Sequence, residues 1–239
     1  MSPRDYADAV RFRKVRVQLR KGADVTAAVF AAGYGSASRF YEGVASRLGM
    51  TPSAYRIGGA GTTIRYTTVA SPLGRLLVAA TERGVCEVAM GASDEDLTRG
   101  LAREYPSATL TVDPGGLANW TSAILAHLAD RQPRLDLPIH VRATSFQWQV
   151  WQALSAIPYG ETRTYSDVAA SIGKPGAVRA VARACAANPV ALAIPCHRVV
   201  PAAGGHGGYR WGAERKEGLL RRERQAGQGR QAGQAGRAK

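Results

Sequence analysis

The run Ile194-Pro195-Cys196-His197-Arg198-Val199 decides both the fold and the chemistry of this chain, because it sets a candidate nucleophile beside a candidate base and a cation. A cysteine reacts as its thiolate, and a neighbouring base or positive charge helps to form it. Pro195 restricts the backbone before the cysteine and favours a fixed, non-helical presentation. The run therefore predicts that Cys196 is a reactive nucleophile.

A cysteine next to a histidine has other interpretations. Most such cysteines are structural, and the pair also occurs in cysteine proteases and metal sites. The run has no local hydrolase signature, and the other histidines form no spaced cluster with cysteines, so we expect no metal ligand. A base of this kind needs a third group to orient it. Glu217 and Glu223 are the nearby acidic candidates for His197, and the run itself does not choose between them.

The charge of the chain points to a polyanionic partner. The 239 residues carry a net charge of +14. The Lys/Arg and Asp/Glu counts are ten and four in residues 1–61, eight and nine in 62–144, eight and four in 145–220, and six and one in 221–239. Basic segments therefore flank a nearly neutral middle block. This distribution favours binding to DNA.

The cysteines and the apolar runs indicate where the chain acts. Three cysteines, Cys86, Cys185 and Cys196, cannot form a disulfide framework, which fits a reducing cytosol. No apolar run approaches the ~18 residues of a membrane span, and residues 1–6 lack the apolar core of a signal peptide. We therefore expect a cytoplasmic protein that contacts no membrane.

Periodicity divides the first sixty residues into helices. Apolar residues among arginines predict an amphipathic helix over 5–21, and Asp24 is a candidate N-cap for a helix over 25–32. Gly33 makes a turn, and a further helix is predicted over 36–48. A helix, a tight glycine turn and a second helix are typical of a helix-turn-helix.

The remaining chain changes character twice. A glycine-rich linker at 58–61 precedes an α/β unit, with strands predicted at 62–69, 75–81 and 85–90 and helices at 94–104 and 117–129. After residue 143 the pattern is mainly helical, with helices predicted at 146–156, 165–172, 175–187 and 215–224. Residues 225–239 have no apolar side chain larger than alanine, and we expect them to be disordered.

The run at 194–199 resembles the active-site signature of the O6-alkylguanine-DNA alkyltransferases, also called methylated-DNA–protein-cysteine methyltransferases. The resemblance covers residues 62–224. It also rests on Gly160-Glu161-Thr162, Tyr165, Gly173-Lys174-Pro175, Arg179-Ala180-Val181, Asn188-Pro189 and Gly208-Tyr209-Arg210-Trp211-Gly212. For these residues it implies a small ribonuclease H-like α/β subdomain in 62–142 and a mainly helical, winged-helix-like DNA-binding domain in 143–224. Together with the helix-turn-helix in 1–57, the linker in 58–61 and the disordered basic tail in 225–239, the predicted fold class is α+β multidomain.

The resemblance also implies a role for individual residues. Cys196 would accept the alkyl group of O6-alkylguanine in double-stranded DNA irreversibly, and His197 would deprotonate it through a water molecule. The resemblance chooses Glu223 over Glu217 as the acid that orients the histidine. Asn188 would tie the active-site turn together, and Tyr165 would donate a hydrogen bond to the leaving guanine. No cofactor is implied, and whether O4-alkylthymine is also accepted stays open.

Further residues would hold the substrate. Pro195, Val199, Tyr209 and Arg210 would line the guanine pocket. The target nucleotide must leave the duplex, at about a few kcal/mol. Arg179 would fill the gap, and the small Ala177 and Ala180 would let the backbone approach the DNA. Some family members have serine at the position of Arg210, where the backbone N–H contacts the base, so a backbone role survives the change.

The amino-terminal segment carries a second resemblance. Gly33-Tyr34-Gly35-Ser36, Phe40-Tyr41 and Leu48-Gly49-Met50-Thr51-Pro52 are similar to the second helix-turn-helix of AraC-type regulators. Ser36, Ala37, Arg39 and Tyr41 would then start a recognition helix that faces the major groove. The order of segments resembles the Ada proteins, whose four-cysteine zinc domain and first helix-turn-helix have no counterpart in these residues.

Three functions are compatible with these patterns. We expect a monomeric DNA repair alkyltransferase, and the alternative is a regulator whose helix-turn-helix binds promoter DNA. A non-catalytic damage-binding protein is disfavoured, because such proteins lack the reactive cysteine that Cys196 supplies.

Overall fold

The computed structural model describes residues 11, 14, 15, 17–19, 23, 25–34, 61–141 and 143–235, with side chains up to residue 227. The predicted helix over 36–48, including Ser36, Ala37, Arg39 and Tyr41, lies outside these residues, as do linker residues 58–60.

The described amino-terminal residues form a small helical core. Residues 14, 15 and 17–19 are helical, and helix α1 spans Val25–Ala31. Their buried apolar residues form one cluster, made of Val15, Leu19, Val25, Ala28, Val29 and Ala32. The spacings of three and four residues place these side chains on facing stripes of the two helical segments. Gly33 has a φ of 89° and provides the turn after α1.

A four-stranded sheet forms the next unit. Strands β1 (Thr63–Ser71), β2 (Gly74–Thr81) and β3 (Gly84–Gly91) lie near their predicted positions and make an antiparallel meander. Strand β4 (Thr109–Val112) was not predicted and pairs in parallel with β1, so that the strand order is β3-β2-β1-β4. It has only four residues, mostly exposed, and is therefore too short to show an alternating pattern.

Two helices complete this unit close to their predicted positions. Helix α2 (Asp94–Glu104) begins after Ser93, whose side chain accepts a hydrogen bond from the backbone N–H of Asp96. Helix α3 spans Ala118–Leu128. The combination of sheet and helices confirms the predicted α+β class, while the domain boundaries proposed from the sequence stay predictions.

The last unit is mainly helical, as predicted. Its elements are α4 (Ser145–Ser155), β5 (Arg163–Thr164), α5 (Tyr165–Ser171), a 3₁₀ turn at Pro175–Ala177, α6 (Val178–Ala186), a 3₁₀ turn at Cys196–Arg198, β6 (Val199–Val200) and α7 (Ala213–Ala235). The two-residue strands β5 and β6 pair in parallel and were too short to predict. One apolar core joins this unit to the sheet, from Ile64 to Leu219.

Helix α7 corrects the prediction for the end of the chain. It continues to Ala235, so residues 225–235 are helical and not disordered. The first turns of α7 pack against the core, so the helix is already nucleated before residue 225. Alanine, glutamine and arginine then extend a helix readily. Interrupting glycines cost about 1 kcal/mol each without ending it. Neither α7 nor any other helix in the described part of the chain is both long and apolar enough to span a bilayer.

Candidate active site

The predicted nucleophile opens a tight turn between α6 and β6. Cys196 is buried, and the 3₁₀ turn that it begins is closed by a hydrogen bond from the Arg198 N–H to the Pro195 carbonyl (3.0 Å). The N–H of Val199 donates to the Cys196 carbonyl and leads the chain into β6. The turn therefore holds the sulfur in a fixed position, with Pro195 buried beside it.

Asn188 fastens this turn from within. Its side chain is fully buried, and Nδ2 donates to the Ile194 carbonyl (2.8 Å) and to Sγ of Cys196 (3.1 Å). Oδ1 accepts from the N–H of Val190 at 3.0 Å. The amide thus ties together three points of the segment and places a donor on the sulfur. A donor in this position favours the thiolate over the thiol.

His197 and Glu223 form a buried pair. Nε2 of His197 lies 2.8 Å from Oε1 of Glu223, which α7 brings into the site. The carboxylate also accepts from Nε of Arg198 at 2.9 Å and from the N–H of Gly160 at 3.1 Å. Burial alone would raise the pKa of Glu223, but its bonds with His197 and Arg198 lower that pKa to about 2. Glu223 is therefore an anion at neutral pH.

This anion determines which nitrogen of His197 carries hydrogen. Burial lowers the pKa of His197, so the imidazole is neutral near neutral pH. Glu223 is ionised and can only accept a hydrogen bond, so the single hydrogen of the neutral ring lies on Nε2. Nδ1 then keeps its lone pair, and it has no hydrogen-bond partner among the described residues. The arrangement gives His197 the tautomer required of a base.

The thiol itself is protonated at rest. Burial raises the pKa of Cys196 to about 11, against the opposing effects of the Asn188 hydrogen bond and the charges of Lys216 and Arg210. A thiolate must therefore form during the reaction, which requires a base.

Lys216 is a site residue that the sequence did not predict. Its side chain is fully buried, and Nζ donates to the Val199 carbonyl at 2.7 Å and lies 3.5 Å from the Gly208 carbonyl. A signal was present, because Lys216 shares the buried face of α7 with Leu219, Leu220 and Glu223 at helical spacing. The ammonium group therefore links β6, through Val199, to the segment just before Tyr209, through Gly208.

The predicted pocket residues lie in or near the cysteine turn. Tyr165, the first residue of α5, is half-buried, and burial raises its pKa, so it keeps its hydroxyl hydrogen. Val199 is fully buried, and the ring of Tyr209 packs edge-on to Trp211 at 5.0 Å. Nη1 of Arg210 lies 3.4 Å from the Asn188 carbonyl. Val199 follows the cysteine turn directly, and Arg210 contacts the residue that fastens it. Besides burial, the charge of Cys196 contributes to the raised pKa of both Tyr165 and Tyr209, so these rings also lie near the sulfur.

The predicted DNA-contacting residues lie elsewhere on this unit. Arg179 is exposed at the second position of α6, between the half-buried Ala177 and Ala180. Ser36 and Arg39 lie outside the described residues. An exposed arginine among small side chains suits close contact with a phosphate backbone.

Models of known families match three parts of the chain. Residues 145–225 match the DNA-binding domain of 6-O-methylguanine DNA methyltransferase, and residues 64–117 match its ribonuclease-like domain. Residues 1–57 match a helix-turn-helix domain. These matches confirm the resemblance inferred from the sequence.

The names of curated relatives agree with these matches. The "Bifunctional transcriptional activator/DNA repair enzyme Ada" of Escherichia coli is 44% identical over 223 residues, which are 93% of this chain and 63% of the relative. The chain thus spans less than two thirds of the length of that relative. The "Methylated-DNA--protein-cysteine methyltransferase" of Mycobacterium tuberculosis is 40% identical over 163 residues, which are 67% of this chain and 93% of the relative.

Solved structures agree with these matches. The Mycobacterium tuberculosis O6-methylguanine methyltransferase has a TM-score of 0.59 at 36% identity, covering 69% of this chain and 94% of that one. A structure of the same enzyme in complex with DNA has a TM-score of 0.58 at 36% identity, covering 68% and 94%. Because the similarity extends over nearly the whole mycobacterial enzyme, the chain belongs to the methylated-DNA–protein-cysteine methyltransferase family.

Proposed function

We propose that the chain repairs DNA by moving the alkyl group of O6-alkylguanine to Sγ of Cys196, once per molecule. The observation that carries this proposal is the buried cysteine, with the Asn188 amide 3.1 Å from its sulfur and the His197–Glu223 pair on the next residue. A new S–C bond forms as the C–O6 bond breaks, and the bonding electrons leave with the guanine. The thioether product is stable, so no second turnover follows.

The proton moves away from the sulfur before the alkyl group arrives. Nδ1 of His197 takes the thiol proton, through a water molecule, and Glu223 stabilises the imidazolium. Tyr165 donates a hydrogen bond to the guanine, where negative charge develops as the base leaves. The imidazolium then gives this proton to the departing guanine, so charges and atoms balance. Asn188 holds the sulfur in line throughout.

The alkyl group lies inside a duplex, so the nucleotide must be flipped into the pocket. We assign to Arg179 the task of filling the gap that it leaves, and to Ala177 and Ala180 the close approach of the backbone. Pro195, Val199, Tyr209 and Arg210 then surround the base. The exposed position of Arg179 and the basic charge of this unit support this assignment.

The test is transfer of a labelled methyl group. The full chain is incubated with a duplex that contains labelled O6-methylguanine, and the labelled peptide is identified by mass spectrometry. We expect the label on Cys196. Cys196→Ala should bind the duplex with similar affinity and acquire no label. Label on another residue, or transfer by Cys196→Ala, would refute the proposal.

A second candidate function is regulation of transcription. The helix-turn-helix match over 1–57 and the name of the Escherichia coli relative favour it. Ser36 and Arg39 would then read promoter DNA in the major groove. Binding by the full chain to a specific promoter, strengthened after methyl transfer, supports this function. Binding without sequence preference, and with a steep dependence on salt, contradicts it.

We also propose the compartment and the oligomeric state in which the protein acts. We place the protein in the cytoplasm, because Cys86, Cys185 and Cys196 form no disulfide with one another. A monomer is the expected state, and sedimentation of the chain with and without duplex tests it.

A further inference from the structure

The turn between α4 and β5 surrounds the ion pair that supports the proposed base. The Ile157 carbonyl accepts from Nη1 of Arg198 at 2.8 Å, and the N–H of Gly160 donates to Oε2 of Glu223 at 3.1 Å. Between these two contacts, the centre of the Tyr159 ring lies 5.4 Å from the guanidinium carbon of Arg198. A guanidinium at this distance from an aromatic face is attracted to it. The turn therefore holds both the cation and the carboxylate.

One oxygen of Glu223 is shared between a base and a cation. Oε1 lies 2.8 Å from Nε2 of His197 and accepts from Nη2 of Arg198 at 3.0 Å. The bond to His197 stabilises the imidazolium, whereas the bond to Arg198 draws on the lone pairs of the same oxygen. Because a guanidinium has five donors, a small rotation would bring more of them onto Oε1. The position of Arg198 therefore decides how well Glu223 supports the base.

Tyr159 is itself tied to the carboxyl end of α3. Its hydroxyl donates to Oδ1 of Asp130 at 2.6 Å, and its ring packs edge-to-face with His127 at 5.5 Å. Burial, together with the bond to Asp130, raises the pKa of Tyr159, so the hydroxyl keeps its hydrogen. A hydrogen bond to a carboxylate is among the stronger ones in proteins. The end of α3 therefore holds Tyr159 by its hydroxyl and by its ring.

The backbone of Asp130 is held in a conformation that few side chains adopt. Its φ is 59°, in the left-handed region that glycine favours at the end of a helix. The N–H of Asp130 donates to the His127 carbonyl at 3.1 Å, and the N–H of Arg131 donates to the Ala126 carbonyl at 3.0 Å. These bonds end α3 and fix the backbone that carries the carboxylate. An aspartate here is less favourable than a glycine, and its bond to Tyr159 offsets the difference.

We propose that Tyr159 and Asp130 are positioning residues for the carboxylate of Glu223. The Asp130 bond holds the Tyr159 ring against the guanidinium of Arg198, and the ring keeps that guanidinium from moving further onto Oε1. Oε1 then stays on Nε2 of His197, where it stabilises the imidazolium. The inference rests on the proposed alkyl transfer and adds to it a determinant of rate that reaches from α3 to the cysteine turn.

A protein that reacts once allows positioning to be separated from folding. With excess O6-methylguanine duplex, the amount of methyl transferred counts the folded chains, whereas the rate constant reports how the site is arranged. Tyr159→Leu removes the ring and the hydroxyl and should lower the rate constant about tenfold, and Tyr159→Phe, which keeps the ring, about threefold. The amount transferred and the duplex concentration at half-maximal rate should match those of the parent chain. Tyr66→Phe removes a hydroxyl from another half-buried tyrosine, on β1, and should leave the rate constant unchanged.

Position 130 allows two contrasting substitutions. Asp130→Gly removes the carboxylate but suits the left-handed backbone, so it does not strain the end of α3. It should slow transfer about threefold, and combining it with Tyr159→Phe should cause no further slowing, because both changes break the same bond. Asp130→Asn keeps an oxygen acceptor and should retain most of the parent rate. Asp136→Asn, at an exposed position, is the control for loss of charge alone.

The link to the base is tested in the Glu223→Gln background. Tyr159→Leu should add no further slowing there, because the carboxylate that it positions is absent. Multiplicative slowing would overturn the inference, as would a smaller amount of transfer at the parent rate constant. Weaker duplex binding with an unchanged maximal rate would also overturn it. Absence of transfer by the parent chain would instead refute the proposed function. If Tyr159→Leu does not fold, Tyr159→Phe and the two Asp130 variants decide the question.

Discussion

Oε1 of Glu223 lies 2.8 Å from Nε2 of His197, and both side chains are buried. Helix α7 supplies the carboxylate, and the cysteine turn supplies the imidazole. The same carboxylate binds Arg198, so one anion supports a base and balances a cation. This sharing means that the pair affects both reactivity and stability, and the two effects can be measured separately.

Replacing the carboxylate should slow the reaction. Glu223→Gln removes the charge that stabilises the His197 imidazolium, and we expect methyl transfer to be about a hundredfold slower. Single-turnover kinetics with an O6-methylguanine duplex measure this change. Glu217→Gln removes an exposed carboxylate from the same helix and should react at the parent rate. Equal rates for the two variants would contradict the role of Glu223.

The same residue should make stability depend on pH. The pKa of Glu223 falls from 4.5 to about 2 in the folded protein, so its ionised form stabilises the fold above pH 4.5. That contribution is lost as the pH falls from 4.5 towards 2. Urea denaturation across this range should show a steeper loss for the parent chain than for Glu223→Gln. Parallel curves would show that the folded pKa of Glu223 is not depressed.

Lys216 should assist ionisation of the cysteine. Its charge lowers the pKa of Cys196, so Lys216→Met should raise that pKa and reduce the thiolate fraction at a given pH. We expect iodoacetamide to modify Cys196 more slowly, because the thiolate is the form that reacts and its fraction falls as the pKa rises. Peptide mapping separates this site from the other cysteines. Lys174→Met, which removes a lysine bonded to Gln149 away from the turn, is the control, and a rate matching it would exclude the effect.

Asn188 should be important for stability as well as for activity. Asn188→Ala removes the bonds to Ile194, Cys196 and Val190 and leaves buried groups unpaired. We expect the free energy of unfolding to fall by about 3 kcal/mol. Chemical denaturation measures the loss against Asn119→Ala, an exposed position on α3. A difference below about 0.5 kcal/mol would contradict the role of Asn188 as a fastening of the turn.

The sequence predicted the elements that have strong periodicity. Strands β1 to β3 and helices α2 to α6 lie near their predicted positions, because alternation and helical spacing are local signals. Strand β4 depends on pairing with β1, a distant contact that four residues do not encode locally. The extension of α7 was missed because its composition resembles that of a disordered tail.

Local sequence patterns predicted less of the active site than of the fold. Cys196 and His197 stand out as neighbours, but the choice of Glu223 over Glu217 came from the family resemblance. Helical phase explains the choice, because Glu223 lies on the buried face of α7 and Glu217 is exposed. Lys216 was missed because charged residues are expected at the surface, although its helical spacing with Leu219 and Glu223 places it on the buried face of α7.

The stoichiometry of methyl transfer distinguishes a single-use acceptor from an enzyme that turns over. The full chain is given a large excess of O6-methylguanine duplex, and methyl groups on Cys196 and unrepaired duplex are both counted over time. We predict that each chain accepts a single methyl group, that this group is on Cys196, and that transfer then stops while excess substrate remains. Continued loss of O6-methylguanine beyond that point, or a plateau without methylated Cys196, would contradict the account.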